Sequence, residues 1–149
     1  MKALKVNFLL PNNEARDLFR LPKEDRKKAL IACFNNFYLS GEFEKKLFKL
    51  PKDERKCVLP VYVQKYTLCP STEFLLFKLP KKERKNLLIA YIMKHDLSPE
   101  GELKLFELPE DEKVEIMRVY LNKWWFWRPA KEKFESLPEE ERQKILQNL

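Results

Sequence analysis

Glycine is nearly missing from this chain: only Gly41 and Gly101 occur in 149 residues. Tight hairpin turns that need φ > 0 are therefore scarce, and glycine-rich phosphate loops cannot be assembled, which favours an all-helical reading. Histidine is rarer still, with His95 alone. The three cysteines, Cys33, Cys57 and Cys69, are odd in number and contain no C-x-x-C pair, so neither a zinc set nor a disulfide framework is indicated. No apolar run approaches the ~18–20 residues of a membrane span, and no membrane partner is expected. The opening MKALKVNFLL is broken by Lys5 and Asn7 and followed by Pro11, a poor secretory signal. Reduced thiols and a cytoplasmic location are the matching expectation.

What the chain has in regular supply is a phrase. Pro22, Pro51, Pro80, Pro109 and Pro138 stand 29 residues apart, closing LFRLP, LFKLP, LFKLP, LFELP and FESLP. A fixed period of this length marks a repeat architecture, in which each small unit buries its apolar side against its neighbours. The sequence divides into units 11–39, 40–68, 69–97 and 98–126, a partial unit 127–149, and residues 1–10, which fit the end of a preceding unit. In that alignment Ala3 matches Ala32, Phe8 matches Phe37 and Leu10 matches Leu39, so the array is expected to begin partway through a helix. The whole of 1–149 is read as a single helical-repeat domain.

Each unit predicts two helices. The first is short, as in 41–50 and 99–108, with Ser40 and Ser98 at the N-cap and Pro99 at the first helical position. Glu42, Glu44, Glu100 and Glu102 follow, where acids complement the helix dipole. The Leu-Pro step ends this helix. A second helix of about 16 residues, such as 80–95, then carries a one-sided stripe: Leu87, Leu88, Tyr91, Ile92 and His95, repeated as Val58, Leu59, Tyr62, Val63 and Tyr66 and as Ile116, Met117, Tyr120, Leu121 and Trp124. Pro60 interrupts one such helix and predicts a kink or early stop. Trp124-Trp125-Phe126-Trp127 is read first as a bulky plug for the core, and otherwise as an exposed contact patch.

In period and amphipathic pattern the chain resembles the α-solenoid class of helical-hairpin repeats, which includes tetratricopeptide, HEAT and pentatricopeptide arrays, with a shorter unit than theirs. The resemblance implies an all-α solenoid of about five stacked helix-turn-helix repeats, its handedness undetermined, that binds through a continuous surface.

Chemistry is sparse. His95 sits at the stripe position filled elsewhere by Phe37, Tyr66 and Trp124 and reads as a packing residue. Neither catalytic residues nor a cofactor or metal is expected. Charge is more informative. The net charge is +7, but residues 1–97 hold 21 Lys/Arg against 11 Asp/Glu while 98–149 hold 9 against 12. Three units align Lys23, Lys52 and Lys81, then Arg26, Arg55 and Arg84, then Lys27, Lys56 and Lys85. Such rows suit a phosphate backbone or an acidic partner. Glu24, Asp25, Asp53, Glu54 and Glu83 lie among them, and a ladder of ion pairs between units accounts for the same pattern. Other positions of the second helix vary from unit to unit: Lys28 with Cys57, Asn86 and Glu115; Ile31 with Pro60, Ile89 and Arg118; Asn35 with Gln64, Met93 and Asn122. Repeat scaffolds encode recognition at positions like these. The expected function is a non-enzymatic scaffold for protein–protein interaction through Lys28, Ile31, Asn35, Gln64, Asn86, Ile89, Met93, Arg118 and Asn122. The alternative is nucleic-acid binding through the basic rows. Head-to-tail self-association is a third expectation, from the opposed charge of the two ends.

Overall fold

Each Leu-Pro step is a helix boundary in the computed structural model, which describes residues 7–147. Pro22, Pro51, Pro80, Pro109 and Pro138 are the N-cap residues of the helices that follow, extended at φ between −55° and −52° and ψ between 143° and 150°. The proline ring presets that φ, and the proline carbonyl accepts the first helical hydrogen bond, from Arg26, Arg55, Arg84, Lys113 and Arg142 at 2.7–3.1 Å.

Among the described residues the fold is all-helical apart from two short strands. The order is β1 (Phe8–Leu9), α1 (Asn12–Phe19), α2 (Lys23–Cys33), β2 (Phe37–Tyr38), α3 (Gly41–Phe48), α4 (Lys52–Lys65), α5 (Pro70–Phe77), α6 (Lys81–Ile92), α7 (Pro99–Leu105), α8 (Glu110–Lys123), α9 (Arg128–Glu135) and α10 (Glu139–Leu146). The second helices begin one residue after the proline and run 8 to 14 residues, shorter than the expected 16. Ser98 caps α7 by accepting from the Gly101 N–H at 3.1 Å, whereas Ser40 holds the N-cap position of α3 without a side-chain cap bond.

The chain divides into two compact units, with the boundary between Leu75 and Leu76 inside α5. In the first, α1 packs on α2, α3 on α4, and α2 against α4. Its core is formed by Leu30, Phe34, Leu39, Phe43, Leu47, Val58, Leu59, Tyr62 and Val63, each no more than 2% exposed. β1 pairs with β2 in parallel, Phe8 with Phe37 and Leu9 with Tyr38, an offset equal to the sequence period. Residues 8–9 are therefore extended rather than the end of a helix, and the match of Ala3 to Ala32 falls outside the described residues. In the second unit α6 packs on α8, α7 on α8 and α9, and α8 on α10. Leu88, Tyr91, Ile92, Leu105, Ile116, Met117, Tyr120, Ala130 and Ile145 are wholly buried there.

Pro60 does not stop its helix. α4 spans 14 residues, as long as α8, which has no internal proline. Pro60 has no N–H to donate to the Lys56 carbonyl. Buried Tyr62, Val63 and Tyr66 hold the turn beyond it. Pro60→Ala restores that donor, and we expect a gain of about 1–2 kcal/mol in denaturant unfolding. An unchanged or lowered midpoint would mean the half-buried ring contributes more by packing than the lost bond costs.

Candidate interaction surfaces

The residues shared by the units are occupied inside them. Glu44 on α3 is 2% exposed. Its Oε2 accepts from the Tyr62 hydroxyl at 2.7 Å and its Oε1 from the Cys69 N–H at 3.1 Å, while the Tyr62 oxygen accepts from the Leu39 N–H at 3.0 Å. The second unit repeats this set 58 residues on. The Tyr120 hydroxyl donates to Glu102 Oε2 at 2.5 Å and accepts from the Leu97 N–H at 3.1 Å, and the Trp127 N–H donates to Glu102 Oε1 at 2.6 Å. Glu44 and Glu102 stand in the first turns of α3 and α7, as expected, and are in addition buried acceptors. Burial, then the neighbouring glutamate, raises the Tyr62 and Tyr120 pKa values well above the usual phenol range.

A second recurrent set closes the helix ends. Tyr66 Oη donates to the Phe34 carbonyl at 2.6 Å, and Trp124 Nε1 to the Ile92 carbonyl at 2.7 Å. Lys65 Nζ donates to the Asn35 carbonyl at 2.7 Å, and Lys123 does the same to Met93. These carbonyls follow the last turns of α2 and α6 and lack intrahelical partners, so a cation is well placed there.

The basic rows are largely paired within each unit. Arg26 grips Glu54 with Nε and Nη2, both at 2.5 Å, and Arg84 grips Glu112 at 2.7 and 2.5 Å. Both glutamate side chains are no more than 1% exposed. Lys23 pairs with Asp53, Lys81 with Asp111 at 3.1 Å, Lys85 with Glu115 at 2.6 Å and Lys27 with Glu24 at 3.2 Å. The Lys23 ammonium holds the Asp53 carboxyl below its usual range, and Lys81 does so for Asp111. Arg55 Nη1 donates to the Leu50 carbonyl at 3.2 Å. Lys52 and Lys56 are exposed and form no ion pair among the described residues.

The variable positions look outward. In the first unit Lys28, Asn35 and Gln64 are exposed and Ile31 is half-buried; in the second Asn86, Met93 and Asn122 are exposed and Ile89 is half-buried. Arg118 is drawn inward, and its Nη2 donates to the Lys144 carbonyl at 2.5 Å. The aromatic run is part buried and part exposed. Phe126 is 4% exposed, its ring 5.6–5.8 Å from Phe106, Tyr120 and Phe134, whereas Trp125 and Trp127 are 55% and 52% exposed. Exposed Phe8, Leu9 and Tyr38 were not foreseen as surface residues.

The three thiols are free, and burial first raises the pKa values of Cys33 and Cys69, followed by nearby Glu14 and Glu44, which disfavours their reactive thiolates. Among the described residues no group of three His, Cys, Asp or Glu is placed to hold a metal ion, and no helix is long and apolar enough to cross a membrane. The chain matches no protein-family model, no curated protein and no solved structure.

Two predictions follow from the buried polar sets. Unfolded tyrosine ionises near pH 10, and Tyr62 and Tyr120 ionise higher when folded. Their contribution is complete below about pH 10 and is lost as pH rises further, at about 1.4 kcal/mol per pH unit for each tyrosine. Urea unfolding between about pH 9 and pH 11.5 should show this decline, and the Tyr62→Phe/Tyr120→Phe variant should show a shallower one. Equal slopes would refute the assignment. Separately, Arg84→Met strands the buried Glu112 carboxylate and should lose about 3–5 kcal/mol, while Arg84→Met/Glu112→Met recovers most of it. A double variant no better than the single would show that the loss is packing of the Arg84 stem.

Proposed function

We propose that the chain is an α-solenoid of helical hairpins acting as a non-enzymatic scaffold for a protein partner, with the variable outward positions of its second helices as the binding surface. The observation that carries this reading is the division of labour along those helices. Residues common to the units, Arg26 and Arg84 with Glu54 and Glu112, Tyr62 and Tyr120 with Glu44 and Glu102, are engaged internally. Lys28, Asn35, Gln64, Asn86, Met93 and Asn122 differ between units and face solvent. The recurrence of the same contacts at a 58-residue separation, and the one-period offset of Phe8 on Phe37, support the repeat organisation.

Nucleic-acid binding through the basic rows is less favoured, because most of the proposed phosphate contacts already face carboxylates. Two variants separate the readings: Asn86→Arg/Met93→Glu on the outward face, and Lys52→Glu/Lys56→Glu on the lysines left unpaired. Proteins retained from a lysate by the wild-type chain should be lost by the first variant and kept by the second, with both melting like wild type. Retention that ignores the first variant would sink the proposal. Binding of a labelled oligonucleotide at ~50 mM salt that falls steeply with added salt and is abolished by the second variant would install the nucleic-acid reading instead.

A further inference from the structure

Within each unit, adjacent second helices meet through one repeated contact. Arg26 on α2 reaches Glu54 on α4, and Arg84 on α6 reaches Glu112 on α8, each pair 28 residues apart. Four residues beyond the basic residue stands an apolar one that is wholly buried: Leu30 after Arg26, Leu88 after Arg84 and Met117 after Lys113 are all 0% exposed. α10 presents the same two groups in the same register, as Arg142 and Leu146. Leu146 is only half-buried, and the Arg142 Nε is shielded from solvent yet makes no hydrogen bond among the described residues. The complementary flank is on α2. Asp25 stands where Glu54 and Glu112 stand in their helices, but it is exposed and forms no ion pair among the described residues. Next to it Ala29 is half-buried, at the position where Val58, Leu87, Ile116 and Ile145 are at most 3% exposed.

We propose that α10 of one molecule packs against α2 of a second copy, with Arg142 paired to Asp25 and Leu146 seated beside Ala29. A fork-and-carboxylate pair next to an apolar seat is the interface the molecule already builds between its own second helices, so the two flanks are complementary in charge. This goes beyond the outward-face reading and uses none of its residues. The contact joins two different surfaces, which makes it heterologous, and association grows with concentration. One element of the register opposes it. Glu139 occupies the position of Lys23 and Lys81, whose partners are Asp53 and Asp111; across the contact it faces Glu24. The association is accordingly weak and adjustable.

Sedimentation velocity of the 149-residue chain from about 10 μM to about 1 mM tests this. The wild-type chain should show a mean mass that rises with concentration. Arg142→Glu and Asp25→Arg should each weaken association about tenfold or more, the combined Asp25→Arg/Arg142→Glu should restore it, and Glu139→Lys should strengthen it several-fold. Asp25 is exposed, so its variant keeps the test valid if Arg142→Glu disturbs α10; helicity and melting report that. A monomer throughout the range overturns the proposal, as does association indifferent to Asp25→Arg or not restored by the double exchange. Loss of outward-face binding without any change in mass would bear on the scaffold reading alone.

Discussion

A carboxylate taken out of water must be met by donors, and the way Glu44 and Glu102 are met organises everything near them. Each receives one bond from a tyrosine hydroxyl and one from the backbone N–H that opens the following segment, at Cys69 or Trp127. The tyrosine oxygen in turn accepts from the backbone just ahead of the first helix, at Leu39 or Leu97. Three separate stretches of chain are thereby tied to one buried point. Apolar packing is non-directional and tolerates sliding by a turn; a fully satisfied polar set does not, since any slip leaves a buried charge unmatched. Replacing such a set by hydrocarbon need not destabilise the fold, but it would remove the register.

The same reasoning explains what becomes of the positive charge. A chain of net +7 invites an electrostatic reading, yet the arginines of α2 and α6 lie against glutamates almost without exposure. The exposed lysine pairs contribute ~0–1 kcal/mol each and serve alignment and solubility more than stability. Internal pairing of this kind flattens the field that a phosphate backbone would follow. It leaves the outward positions of the second helices as the surface on which units differ from one another.

The helical class, the Leu-Pro boundaries and the buried stripe were legible because each follows from local rules: proline geometry, spacing on a 3.6-residue helix, and a strict period. Helix ends were less so. α2 and α6 stop at Cys33 and Ile92, and the residues after them are held by bonds such as that from Lys65 to the Asn35 carbonyl, which come from a helix distant in sequence. At Pro60 the early stop, one of the two outcomes that local propensity allows, does not occur, because buried Tyr62 and Tyr66 anchor the turn beyond it. The pairing of Glu44 and Glu102 was not foreseen, because an acid in a first helical turn, where both do stand, has an adequate local explanation. A signal was present, since each lies 18 residues before a stripe tyrosine, Tyr62 or Tyr120, and an acid in fixed register with a buried hydroxyl is a pair rather than a surface charge. Ion pairing of the basic rows was visible as one of two accounts, and only packing shows which of these residues are paired.

How freely can the outward surface change without disturbing the fold? Lys28, Cys57, Asn86 and Glu115 occupy one helical position with four unrelated chemistries, while Leu30, Leu59, Leu88 and Met117, two residues further along, remain apolar and wholly buried. The two rows answer to different constraints: the inner one to a neighbouring helix, the outer one to solvent. Arg118 marks the limit of that freedom. At a position occupied elsewhere by Ile31, Pro60 and Ile89, it turns toward the Lys144 carbonyl at the end of α10 and becomes part of the packing. A long side chain at the border between the rows can reach a helix-end carbonyl that has no intrahelical partner. Asn86, exposed in the middle of α6, lies clear of both that border and the helix ends.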